Sequence, residues 1–134
     1  MVDLRRWLDD FKCRPGATDS AIAESEKQLG VKLPEQYIDF MKVVNGGEGF
    51  IGGEYAILWG VEELASANQE YEFAKFLPEF LGFGSNGGGE AFGFDTRQQP
   101  WAVVQVPLVG LGWSDAWPMG DSFNAFLARL KDIA

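Results

Sequence analysis

Apolar residues recur with a helical period near both ends of this chain and lose that period in the middle. Leu4, Trp7, Leu8 and Phe11 follow i, i+3, i+4, i+7, and so do Tyr37, Phe40, Met41 and Val44. Phe123, Phe126, Leu127 and Leu130 repeat the pattern near the C-terminus. Between these segments the apolar residues come in short runs, which is the habit of strands. Helices gathered outside a run of strands predict an α+β fold, with helices packed on one side of a mostly antiparallel sheet. The 134 residues suit a single domain, expected to span 1–134.

Local signals place the elements. The first stripe predicts a helix that Pro15-Gly16 ends. Thr18 is an N-cap candidate for a second helix with Ile22 and Leu29 inward, and Gly30 suits its C-terminal cap. Pro34 fits the first turn of a third helix, and Asn45-Gly46-Gly47 reads as its stop. Residues 55–59 read as a strand, and 61–76 as one helix with Val61, Leu64, Asn68 and Tyr71 on a face. Phe80–Phe83 and Ala91–Phe94 flank a glycine-rich turn and predict a hairpin. Residues 101–106 form a nearly continuous apolar run, expected as an interior strand. A short strand is expected near Trp113–Trp117, followed by a helix capped by Asp121 or Ser122.

Composition removes whole classes of chemistry. There is no histidine and one cysteine, Cys13. A Ser-His-Asp or Cys-His system needs a histidine, and a disulfide within the chain needs a second cysteine. The usual zinc ligand sets fail for the same reason. The N-terminus carries charges at once and lacks the apolar core of a secretion signal, so a cytoplasmic location is expected. The longest uncharged run, between Arg97 and Asp115, is broken by Pro100, Pro107, Gly110 and Gly112, and no membrane span is expected.

Twenty acids against eleven bases give a net charge of −9. Such a field repels phosphates, so nucleic-acid binding is not expected. The excess is local: residues 43–96 hold nine acids against one base, Lys75. A solvated surface that keeps the protein soluble is the plainer explanation. An acidic face that steers a basic protein partner is the functional one. On that reading the candidate partner-binding residues are Glu48, Glu54, Glu62, Glu63, Glu90 and Asp95, with Trp59, Trp113 and Trp117 as anchors or core packing.

Other motifs carry less. Gly87-Gly88-Gly89 is followed by Glu90 rather than the Lys-Ser/Thr of a phosphate loop, and reads as a turn. Glu90 and Asp95 lie five apart on one expected strand and so point to opposite faces, a poor acid/base pair. No calcium loop pattern is present. No catalytic residue, metal or cofactor is expected.

Several segments together resemble the SUKH superfamily of fungal cell-wall assembly regulators and their many bacterial relatives. They are Ile22-x3-Glu26-x2-Leu29-Gly30-x2-Leu33-Pro34-x2-Tyr37-x2-Phe40 and Asn45-Gly46-Gly47, then Trp59-Gly60-Val61-Glu62-Glu63-Leu64 with Asn68. Phe83 to Asp95 and Ser122-Phe123-x2-Phe126-Leu127 agree, so the resemblance covers roughly residues 18–130. It implies a SUKH-like fold and a non-catalytic, protein-binding role. Bacterial members commonly act as immunity proteins that bind and block a toxin domain, often a nuclease. The alternative it implies is a regulatory scaffold for housekeeping or cell-envelope partners. The resemblance supplies no shared catalytic residues, and the helix caps and core positions that carry it argue for fold before function.

Overall fold

A computed structural model describes Leu8 and residues 10–132. Its centre is a seven-stranded sheet in which every strand pairs antiparallel with its neighbour in sequence. The strands are β1 (Phe11–Pro15), β2 (Val44–Ile51), β3 (Glu54–Leu58), β4 (Phe80–Ser85), β5 (Glu90–Asp95), β6 (Ala102–Pro107) and β7 (Trp117–Gly120). Three longer helices, α1 (Asp19–Leu29), α2 (Glu35–Val43) and α5 (Phe123–Asp132), cover one face. Two short helices, α3 (Leu64–Glu70) and α4 (Phe73–Phe76), follow β3. The α+β class read from the periodicity is the one observed.

The inner face is aromatic. Tyr37 of α2 meets Phe83, Phe94 and Phe123 at centroid distances of 5.7, 5.5 and 5.0 Å. Phe126 packs on Phe83 and Phe92. Tilted and edge-on rings of this kind add to area burial. The caps are those the residues announce. Thr18 Oγ1 accepts the Ala21 amide, Gly30 takes the left-handed conformation at φ 73°, and Ser122 Oγ accepts the Ala125 amide. Glu26 accepts the Leu33 amide and so pins the α1–α2 turn.

Four expectations need correction. The strand expected near Trp113–Trp117 starts only at Trp117, because Trp113–Asp115 form a 3₁₀ turn whose Ala116 amide bonds back to the Trp113 carbonyl. The N-terminal helical stripe does not reach Phe11, which starts β1 and pairs with Gly49. Leu4 and Trp7 lie outside the described residues. Burial of Phe11 against β2 decides the matter, because tertiary pairing overrides a short local period. Asn45-Gly46-Gly47 is not a helix stop either. α2 ends at Val43, Val44 is already extended, and the three residues lie within β2. The glycines serve close packing: a Cβ on Gly46 would sit 2.4 Å from the Leu58 carbonyl oxygen. Asn45 works across the fold, accepting the Val61 amide and donating to Glu62 at 2.8 and 2.6 Å.

The single helix expected over 61–76 is broken into a 3₁₀ turn (Val61–Glu63), α3 and α4. Glu72 turns the chain with a left-handed φ of 57°. Residues i and i+2 of one helix point roughly 200° apart. The break lets Tyr71 and Phe73 stack nearly parallel at 5.5 Å.

The outer sheet face carries a second, smaller core over β4–β6, formed by Phe73, Leu77, Phe80, Ala91, Val104 and Val106. Gly82 and Gly93 face each other in the β4–β5 ladder. A Cβ on Gly93 would lie 2.4 Å from Phe80, and one on Gly82 would lie 2.6 Å from Phe73. Bare backbone is therefore the floor on which these two rings rest. β3 and β4 pair only at Ile57–Ser85 and Leu58–Gly84. The Trp59 amide adds one bond to the Phe83 carbonyl, and at Gly82 Asn68 of α3 takes the place of a strand residue. Its carboxamide accepts the Gly82 amide and donates to the Gly82 carbonyl, both at 2.8 Å.

Two outcomes follow for stability. Asn68→Ala strands both Gly82 groups and is expected to lower urea-unfolding free energy by about 1–3 kcal/mol. Gly93→Ala forces Phe80 off its floor and is expected to cost about 1–3 kcal/mol in the same measurement.

Candidate functional site

The two halves of the outer sheet face are treated differently. Over β4–β6 it is covered by α4 and by the loop after β6, whose Leu108, Leu111, Trp113 and Ala116 pack on the second core. Over β1–β3 it forms an open groove of about 780 Å³ that includes Lys12, Arg14, Glu48, Tyr55 and Ile57. Alternation puts Glu48 and Phe50 of β2 on the same side as Tyr55 and Ile57 of β3. Phe50 stands 48% exposed, edge-on to Tyr55 at 5.2 Å.

An aromatic run links the two halves. Trp59 stacks on Tyr71 at 5.8 Å, Tyr71 on Phe73, Phe73 meets Phe80 at 4.9 Å, and Phe80 meets Trp113 at 6.2 Å. Trp113 donates its indole N–H to the Pro78 carbonyl, and the Arg97 guanidinium lies 3.6 Å from its ring centroid. Trp59 and Trp113 therefore pack the fold, while Trp117 of β7 is 60% exposed.

The carboxylates singled out by the charge pattern are mostly engaged. Glu48 accepts the Tyr55 hydroxyl, which raises that hydroxyl's pKa. Glu62 is held by Asn45, and Glu90 accepts Asn86 Nδ2 at 2.6 Å. Asp95 binds Arg97 through both carboxylate oxygens, at 3.0 and 2.9 Å. Glu63 pairs with Arg14 and accepts the Gly60 amide. Glu54 sits at the β2–β3 turn, opposite Ile51.

The nine candidate residues do not gather on one patch. Glu48, Trp59 and Glu63 border the open half, with Glu62 beside Asn45. Asp95 and Trp113 belong to the covered half. Trp117 lies on the edge strand, five strand spacings from Glu48, roughly 24 Å. Glu90 and Asp95 stand at opposite ends of β5 as well as on opposite faces.

Sequence reasoning missed the exposed aromatic residues Phe50, Tyr71 and Phe76 and the charges Lys12 and Arg14. For Phe50 the available signal was the alternation Tyr55-x-Ile57 of β3, since Phe50 pairs with Tyr55 and so shares its sheet face. Among the described residues no three His, Cys, Asp or Glu groups are arranged to hold a metal ion, and no helix is long and apolar enough to cross a membrane.

An antiparallel meander backed by three helices, with half of its other face open, is an α+β domain that displays a surface. The family model for the SMI1 / KNR4 family (SUKH-1) matches residues 16–129, and the chain belongs to that family. The family is known broadly for immunity proteins and related regulators and is generally non-catalytic. No curated protein matches the chain.

Two of the ion pairs make acid sensitivity testable. Partial burial pushes the Glu63 carboxyl up, but the Gly60 amide and Arg14 outweigh it and hold it below its ordinary 4.5. Arg97 holds Asp95 below its ordinary 3.8 against a smaller effect of burial. Depressed carboxyl pKa values stabilise the fold above the unfolded-state values, and that contribution is lost as pH falls through the folded-state values. Urea midpoints between about pH 6 and pH 3 should fall less steeply in the Arg14→Met/Arg97→Met double variant than in the parent. Equal slopes would show that the pairs contribute nothing.

Proposed function

We propose that this chain is a non-catalytic protein-binding domain acting as an immunity protein. It binds a cognate toxin domain of basic character, such as a nuclease, and blocks it by occupancy. The observation that carries this reading is the outer surface of the sheet layer. Phe50, Tyr71 and Phe76 are each 40% or more exposed there, in a chain of net charge −9. Exposed aromatic side chains with a charged surround are the usual anchors of protein interfaces. Membership of a generally non-catalytic family supports the same direction.

The charge predicts kinetics more than affinity. Complementary fields speed encounter and lose their reach as salt shortens the screening length to about 8 Å at physiological strength. Stopped-flow association with a basic toxin domain encoded beside this chain's gene should slow at least about tenfold between low and high salt. Co-expression should protect cells from that toxin. A salt-independent rate or failure to protect would remove the immunity reading. Binding to housekeeping or envelope proteins without protection would favour a regulatory scaffold instead.

A further inference from the structure

The chain contains two Asn-Gly dipeptides, Asn45-Gly46 and Asn86-Gly87. Asparagine is a chemically labile residue, and most so before glycine, whose backbone nitrogen has no side chain beside it to hinder attack on the carboxamide. The fold treats the two pairs oppositely.

Asn45 and Gly46 are both buried within β2. The Asn45 carboxamide is clamped across the fold, by the Val61 amide at Oδ1 and by Glu62 at Nδ2. Gly47, the next residue, pairs with Cys13 of β1 and Leu58 of β3. For the Gly46 nitrogen to reach the Asn45 side chain, a strand held on both sides would have to rotate its backbone.

Asn86-Gly87 opens the turn between β4 and β5. Gly87, Gly88 and Gly89 are exposed, so water reaches the turn. The bonds made by the Asn86 carboxamide are all local. Its Oδ1 accepts the Gly88 and Glu90 amides at 2.8 and 3.2 Å, and its Nδ2 donates to Glu90 Oε1 at 2.6 Å. Two backbone N–H groups on one carbonyl oxygen are the arrangement that stabilises the oxyanion of an acyl-transfer intermediate. They belong to the same turn, so they follow it when it moves. The Gly87 N–H, which must give up its proton for its nitrogen to attack, donates to Ser85 Oγ at 3.4 Å.

We propose that Asn86 is a site of spontaneous deamidation, while the fold keeps Asn45 intact. The Gly87 nitrogen attacks Cγ of Asn86, the new N–C bond replaces the Cγ–Nδ2 bond, and Nδ2 leaves as ammonia with the proton that Gly87 gives up. Water then opens the resulting succinimide at either carbonyl and leaves aspartate or isoaspartate at position 86. The product carries a carboxylate where Nδ2 had donated to Glu90, so two negative charges face each other within the turn. The change falls at the rim of the open β1–β3 groove, since a Cβ on Gly87 would lie 3.3 Å from the Tyr55 ring. This chemistry is independent of what the domain binds.

The test incubates the full chain at mildly alkaline pH, folded and in parallel in urea, and then cleaves it after Lys and Arg. Residues 76–97 form one fragment in which Asn86 is the sole side-chain amide, and Asn45 falls in the fragment 43–75. From the folded chain, fragment 76–97 should gain the mass of an amide turned acid at least about tenfold faster than fragment 43–75, because local opening of a turn is easier than opening of a paired strand. In urea the two fragments should react at similar rates. Asn86→Gln, whose longer side chain disfavours the five-membered ring, should leave fragment 76–97 unmodified over the same period. The deamidated chain, separated by ion exchange, should unfold at lower urea than the intact chain. An unmodified fragment 76–97 from the folded chain, beside a reacting one in urea, would overturn the proposal. Equal rates for the two fragments of the folded chain, or continued reaction in Asn86→Gln, would overturn it as well. Equal urea midpoints would overturn the repulsion from Glu90.

Discussion

Backbone hydrogen bonding allows the chain to leave the sheet after β3 only if something replaces the pairing that it abandons. β3 and β4 share a two-residue ladder, one further bond runs from the Trp59 amide to the Phe83 carbonyl, and at Gly82 the strand neighbour is gone. The Asn68 carboxamide supplies the missing donor and acceptor to Gly82. An amide side chain can do this because it carries one of each, like a peptide unit. Asn45 performs a related service one strand away, where it holds the start of the excursion through Val61 and Glu62. The whole segment from Gly60 to Pro78 hangs between these two carboxamides. Everything on the outer face beyond β3 depends on where they put it.

That excursion converts one sheet face into two surfaces. Over β4–β6 the missing side chains of Gly82 and Gly93 let Phe73 and Phe80 lie against backbone, and the loop after β6 closes the layer through Trp113. Over β1–β3 nothing among the described residues covers the face, and it keeps Phe50, Tyr55 and Ile57 with their charged neighbours. The acidic block of residues 43–96 is divided by the same architecture. Much of it is used inside the domain, as caps, chelates of arginine and partners of amides. Glu70 and Glu72 beside Tyr71 are exposed and form no ion pair among the described residues.

Helix ends and core helices were legible because their causes are local. Thr18, Gly30 and Ser122 act at the positions they occupy in sequence, and the stripes of α2 and α5 bury the residues that their spacing selects. The β4–β5 hairpin was legible for the same reason. Phe11, Asn45 and Glu72 were misread because each answers to a distant partner. Phe11 is taken by β2, Asn45 reaches to Val61, and Glu72 bends the chain so that two aromatic neighbours can stack on one side. Periodicity has no access to such partners.

For the candidate site the division is sharper. Residue order and composition are enough to recognise an α+β domain of the SMI1 / KNR4 family (SUKH-1), strongly acidic, without histidine and so without the usual nucleophile and zinc chemistry. These follow from composition, local period and residue order, which need no third dimension. It takes the folded arrangement to tell which carboxylates are consumed by internal bonds, which tryptophans are packing and which aromatic side chains stay in solvent. Such facts depend on pairs far apart in the chain, Arg14 with Glu63 and Trp113 with Pro78 among them. Charge counted along a sequence cannot tell an occupied carboxylate from a free one.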